Sequence, residues 1–431
     1  MNDQPTDNFV YESYDFNPAA ATATFRYSFN GTFHFTEEVS FTAIKSNYDA
    51  QVLDAALKLY FYLAGVSYFK LYPTPNVVFT TAPPDGNAAT LLNNVYTHGL
   101  SQFLYENDVP LSRLPVFAAQ APTTAPHPYA GQGTVALQSG GKDSLLTATL
   151  LERQGIAYTP WYMTYGATHP GVLDTLHYVL RTVSRKLDLD ALREAQSEGG
   201  LNGHVPITFM VMALAVIDAI LHGENTILVS NGAEGAEPHG HIGDIPVNHQ
   251  WSKTWEAELL FSSYITHAVS PDIRVGSPLR ALSELRIVEL FSQLAWPRFG
   301  HDFSSCNQAN YRQGGDNRRL LWDGTCPKCA NAFLLFAPFI EPSELAGVIG
   351  GNLFANPALH DTFRGLLGID GVMKPFECVG ETEELRLAYH MARQRWGEAA
   401  YALPFEVPAS NFDYRAKQPQ QTWTRQYAPQ A

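Results

Sequence analysis

The sequence predicts an α/β fold: a parallel sheet with helices on both faces, preceded by an N-terminal α+β domain. Three observations lead there. From residue 134 to about residue 299, short apolar runs alternate with segments whose apolar residues recur every three or four positions, the order expected when each parallel crossover carries a helix. One such junction, TVALQSGGKDSLL at 134–146, sets a glycine pair between a strand-like run and a helix-like one, the local form of a strand-to-helix turn. Ahead of these, TATFRYSF and GTFHFTEEVSF alternate aromatic or β-branched residues with polar ones, as half-buried antiparallel strands do.

In chain order, the two alternating segments are followed by apolar-striped runs at 50–71 and 88–105, both read as helices. Residues 118–133, AAQAPTTAPHPYAGQG, are rich in proline, alanine and glycine without a period and read as a linker or surface strap. This gives an α+β domain over 1–125, the sheet domain over 126–300 and a mostly helical, cysteine-containing extension over 301–431. Strands are expected at 135–137, 156–165, 226–229 and 273–275, and helices at 144–154, 171–187, 207–222, 251–267 and 279–294. Beyond about residue 299 the pattern is irregular, then helical again over 329–339 and 383–394. The polar tail at 416–431 is expected to be extended or mobile.

Composition narrows the function. The 431 residues include 28 Lys plus Arg against 42 Asp plus Glu, a formal charge of −14, with no run of basic residues. Such a chain repels a polyphosphate backbone, so nucleic acid is disfavoured as a partner. The stretch 207–221 is too short to span a membrane and contains Asp218, and the first residues have no secretion pattern. A cytoplasmic location without membrane attachment is expected, with the four cysteines reduced. Nothing in the pattern speaks to oligomeric state.

The turn at 139–144 aims backbone N–H groups and the positive end of a helix dipole at one place, which suits a phosphate. A Walker loop would need glycine where Ala136 stands and Ser or Thr where Asp143 stands, and the G-x-G-x-x-G fingerprint does not occur here. Ser139, Gly140, Gly141, Lys142, Asp143 and Ser144 instead spell S-G-G-x-D-S and resemble the signature of the PP-loop ATP pyrophosphatases, whose fold is adenine nucleotide alpha hydrolase-like. That resemblance implies cleavage of ATP between its α and β phosphates, with AMP passed to a carboxylate or carbonyl oxygen. In that role Gly140 and Gly141 admit the pyrophosphate to the backbone. Ser139 and Ser144 add hydroxyls, Lys142 neutralises charge and Asp143 holds magnesium.

Ligands of open parallel sheets sit beyond the carboxyl ends of the strands. This gathers the glycine turn, the stretch WYMTYGATHPG at 161–171, whose backbone is suited to an adenine edge, and the long loop 229–256. That loop holds Glu234, Glu237, Asp244, His239, His241, His249 and Lys253. In an extended segment His239 and His241 share one face, and with His249 or Asp244 they would make a zinc site; magnesium carried by ATP is the competing account of a metal. Cys326 and Cys329 form a C-x-x-C, with Cys306 20 residues before Cys326 and Cys378 49 after Cys329. Some PP-loop enzymes that this chain resembles, the deazaguanine-synthesising enzymes of the queuosine pathway, hold zinc with four clustered cysteines. Buried inert thiols are a second reading, and Cys306 or Cys326 as an acid/base group a third.

The order of FVYESYDFNP, LQSGGKDSLL, SNGAEGAEPHGH, CNQANY and CPKCANAFLLFAPF along the chain resembles the MurL family of UDP-N-acetylmuramoyl-L-alanyl-L-glutamate epimerases. The resemblance implies inversion of the terminal L-glutamate on a UDP-linked muramoyl dipeptide, with ATP and magnesium, for peptidoglycan synthesis. Converting the glutamate carboxylate to an acyl adenylate would remove its charge and acidify the α carbon, each pKa unit being worth about 1.36 kcal/mol. Acid/base groups for the proton transfers are open among His239, His241, His249, Cys306 and Cys326, with the histidine loop favoured. A PP-loop amidating or nitrile-forming ligase of a small carboxylic acid, with structural zinc, is the alternative, and an ATP-binding regulatory protein without turnover is a third reading.

Overall fold

The computed structural model describes residues 7–233, 235–312 and 318–429. Eleven strands occur among them: β1 Phe9–Asn17, β2 Thr22–Phe29, β3 Phe33–Ser40, β4 Val77–Phe79, β5 Thr134–Leu137, β6 Thr159–Thr164, β7 Arg181–Lys186, β8 Thr226–Leu228, β9 Gly240–Ile242, β10 Ile245–Val247 and β11 Arg274–Gly276. Nine of them form one sheet in the order β11-β8-β5-β6-β7-β3-β2-β1-β4, and β9 and β10 make a separate hairpin. From β11 to β7 every neighbour is parallel. From β7 through β1 every neighbour is antiparallel.

The alternation of strand side chains splits the interior into two cores. On β5 and β8, Val135 and Ile227 enter one core while Ala136 and Leu228 enter the other. The first core carries α1 (Ala50–Phe69), capped by the Asp49 carboxylate on the Gln51 and Val52 amides. The second carries α2 (Lys142–Arg153). A buried apolar helix, α3 (Ile207–His222), packs beside α1, with α4 (Trp255–Tyr264) on the same side. On the opposite face lie α5 (Glu284–Leu294), α6 (Pro327–Phe336) and α7 (Thr382–Trp396). By length and composition α1 could cross a membrane, but 83% of its apolar window is buried inside this fold, as a core helix requires.

Several expectations are corrected. Residues 171–187 are not a helix: a 3₁₀ turn at Gly171–Thr175 is followed by β7. The alternation of Arg181, Val183 and Arg185 with shorter polar residues suits a strand, and β7 has a partner on each edge, β6 parallel and β3 antiparallel. One sheet therefore crosses the division expected at residue 126. Helix α4 is flanked by a 3₁₀ turn at Trp251–Lys253 and a π turn at Ile265–Val269, so 251–267 is not one regular helix. Within the tail, Gln421 donates to the Val275 carbonyl and to Glu258 (both 2.9 Å), so residues 421–427 are docked rather than loose.

Candidate functional site

Strand β5 has β6 on one side and β8 on the other, so the chain reverses its direction of sheet growth here, the crevice where open α/β sheets hold ligands. The glycine turn lies at its carboxyl end. Gly140 has φ +78°, and a Cβ there would lie 2.5 Å from a Leu320 methyl, so both backbone and packing require glycine. Gly141 is the N-cap of α2 and has no capping side chain, and a helix start of this kind suits an anion. The turn is braced internally: the Ser144 hydroxyl accepts from the Ser139 amide (3.2 Å) and donates to the Gly141 carbonyl (3.1 Å).

Lys142 and Asp143 point into a cleft. Lys142 Nζ lies 2.8 Å from Asp143 Oδ1 and 3.1 Å from Glu284 Oε1 at the start of α5. Two carboxylates thus converge on one cation, and the second Glu284 oxygen is buried without a hydrogen-bond partner. Further along, Lys253 and Lys328 line the same cleft, as do Ser305 and Trp322. Three lysines and two carboxylates, Asp143 and Glu284, thus line one concavity.

Cys378 belongs to this cleft. Its Sγ is 3.1 Å from Lys253 Nζ. Burial alone would raise its pKa, yet Lys253, Lys328 and Lys142 together hold it below the ordinary thiol value, which favours the thiolate. The loop carrying it is pinned on both flanks: Asn307 donates to Glu377 (2.8 Å) before it, and after it Gln250 donates to the Val379 carbonyl and the Gly380 amide donates to Asn331 (both 2.9 Å).

The histidines lie elsewhere. His249 Nδ1 is 2.6 Å from Gln102 Oε1, and its ring sits 4.4 Å from that of His204. His239 stacks on Phe376 at 5.1 Å, and burial, with Lys374 nearby, pushes it down to about 4. The β9–β10 hairpin leaves His241 and Asp244 exposed. Among the described residues His239 and His241 join no cluster of metal-binding donors, and none of the three histidines walls the lysine cleft. Glu237 accepts from Lys374 Nζ (2.7 Å) and from the Thr382 amide (2.8 Å) and hydroxyl (2.7 Å). Glu234 lies outside the described residues. The loop after β6 closes on itself, with the Thr164 hydroxyl bonded to the Gly166 and Thr168 carbonyls.

Cys306 and Cys326 are brought together, Sγ to Sγ 3.5 Å, with Cys329 3.5 Å from Cys326. Cys378 is not part of that group, so a four-cysteine set is corrected: the fourth nearby donor is Asp323. Bonds from the neighbouring thiols lower the Cys306 pKa and raise those of Cys326 and Cys329.

Comparison with known proteins fits this layout. A model of the MurL N-terminal domain matches residues 1–277, and one of the MurL C-terminal domain matches residues 302–418. The chain belongs to the MurL family. Proteins named UDP-N-acetyl-alpha-D-muramoyl-L-alanyl-L-glutamate epimerase are similar to it. The one from Xanthomonas oryzae pv. oryzae is 34% identical over 362 residues, 83% of this chain and 79% of that protein. The one from Salinispora tropica is 34% identical over 403 residues, 91% and 86% of the two chains. The one from a Micromonospora species is 31% identical over 404 residues, 91% and 89%. Both MurL segments wall the cleft, Lys142 and Lys253 from the first and Lys328 and Cys378 from the second. Sequence reasoning left Glu284, Lys253, Lys328 and Cys378 without a role there. Lys253 stands out in the 229–256 loop, Cys378 as a fourth cysteine and Lys328 inside the C-x-x-C, and only Glu284 has no signal at all.

Proposed function

We propose that this MurL-family chain is an ATP-dependent epimerase that inverts the terminal L-glutamate of UDP-N-acetylmuramoyl-L-alanyl-L-glutamate through an acyl adenylate. One juxtaposition carries the reading: a glycine turn suited to phosphate opens into the same cleft as a thiol biased towards thiolate by lysines. The epimerase named in each relative supplies the substrate.

In this reading the glutamate carboxylate attacks the α-phosphorus of ATP and pyrophosphate leaves. The backbone of Gly140 and Gly141, with the Ser139 and Ser144 hydroxyls, receives the phosphates, and Lys142 balances their charge. Asp143 and Glu284 are the oxygen donors that would hold magnesium, which neutralises polyphosphate charge; Lys142 Nζ already sits as a cation between them. Adenylation removes the negative charge beside the α carbon. Cys378 then takes the α proton, a cleft lysine such as Lys328 returns one to the opposite face, and water releases AMP.

Incubation of the enzyme with ATP, magnesium and the UDP-linked dipeptide in heavy water tests the whole sequence. Expected are deuterium at the glutamate α carbon, the D epimer, AMP and pyrophosphate, with no exchange when ATP is omitted. AMP formation without exchange and dependent on ammonia would replace the epimerase with an amidating or nitrile-forming ligase. Exchange without ATP would remove the adenylate from the mechanism.

A further inference from the structure

We infer that Cys306, Asp323, Cys326 and Cys329 form a structural zinc site that fastens the outer wall of the cleft. Their donor atoms all lie within 4.8 Å of one another. The sulfur separations of Cys306–Cys326 and Cys326–Cys329 are both 3.5 Å. Ligands on a tetrahedral zinc with bonds of ~2.3 Å stand about 3.8 Å apart, whereas disulfide sulfurs are bonded at about 2.05 Å. The spacing is that of co-ligands.

The surroundings prepare the donors. Cys326 is the N-cap of α6 and Cys329 lies in its first turn, so the helix start presents both sulfurs together. Asp323 Oδ1 accepts from the Thr325 (2.8 Å) and Cys326 (3.1 Å) amides and lies 3.1 Å from Cys329 Sγ. Its Oδ2 is buried with no hydrogen-bond partner, a cost that a cation would offset. The Ala309 amide donates to Cys306 Sγ (3.4 Å), the outer contact that a ligating thiolate commonly has. Three thiolates and a carboxylate suit zinc; magnesium and calcium prefer all-oxygen shells. Four protein donors close the coordination sphere, which marks a structural site.

The position explains the use. The segment holding Cys306 carries Ser305, the one holding Asp323 carries Trp322, and α6 carries Lys328 and Asn331; all four line the cleft. The ion would join these pieces to one another.

Metal analysis of the full-length protein, purified without a metal-binding tag, is expected to give one zinc per chain that survives dialysis. Cys306→Ser and Asp323→Ala should each lower retained zinc at least tenfold, while Cys378→Ser should leave it unchanged. Because a ligand variant can misfold, the unmutated chain grown on cobalt provides a second readout, with thiolate-to-cobalt charge transfer and tetrahedral d–d bands expected. A folded chain with no retained metal, octahedral cobalt spectra, loss of zinc in Cys378→Ser, or a native Cys326–Cys329 disulfide would each overturn the site.

Discussion

At the residue scale, Asp143 and Cys378 divide the proposed chemistry. Asp143 is partly exposed and holds no core position, so Asp143→Ala is expected to abolish AMP and pyrophosphate formation while leaving the thermal unfolding midpoint unchanged. Retained AMP release would remove Asp143 from the phosphate site. Cys378→Ser should keep the chemistry before proton removal, read as pyrophosphate exchange into ATP, and lose α deuteration. The sign of the pH effect follows from the lowered thiol: the base form persists below the ordinary thiol value near 8.5, and activity falls as pH drops through the depressed value. Lys253→Met removes the nearest ammonium and should move that acid limb of kcat/KM upward by about one unit. An unmoved limb would mean that another group titrates. The strand-turn-helix geometry at 139–144 was legible in sequence because its signals are local and contiguous. Cys378 was not, since only tertiary folding carries it from beyond Cys329 to Lys253.

At the scale of elements, the seam between β3 and β7 matters most. Arg185 on β7 makes a bidentate pair with Glu37 on β3, at 2.8 and 3.0 Å. Tyr60 and Tyr68 (3.0 Å) donate to Glu37, and Ser67 accepts from Arg185 at 3.2 Å. Both charges are essentially excluded from water. Removing one partner leaves the other buried and unpaired, so Glu37→Gln should cost about 3–5 kcal/mol, measured by urea unfolding; adding Arg185→Met should recover part of that loss. A cost below about 1 kcal/mol would mean that the pair does not hold the seam. The strands next to the glycine turn and the long helices were readable because their apolar periods are strong. β7 was missed because the preceding 3₁₀ turn makes its flanks look helical; β4, β9 and β10, no shorter than the expected β8 and β11, were not expected. The zinc reading of the histidine loop failed because close spacing does not by itself bring a third donor within reach.

At the scale of the whole molecule, the cleft lies where the two MurL segments meet, and Glu237 is one of the ties between them. It lies in the first segment and holds Lys374 and Thr382 of the second, on either side of the Cys378 loop. Burial would raise its pKa, but the Lys374 ammonium and the two Thr382 bonds bring it below the ordinary carboxylate value. A carboxyl depressed on folding stabilises the native state above its unfolded value, about 4.3, and loses that contribution as pH falls through the native one. Comparing thermal unfolding of the natural chain with Glu237→Gln should therefore show a gap that is full near pH 6–7, shrinks below about pH 4.3 and closes in strong acid. The variant should also lower kcat for epimerisation more than it weakens ATP binding, because the loosened loop carries the thiol while the glycine turn stays braced by Ser144. A gap independent of pH, or equal losses in ATP binding and kcat, would place the seam's contribution outside this carboxylate.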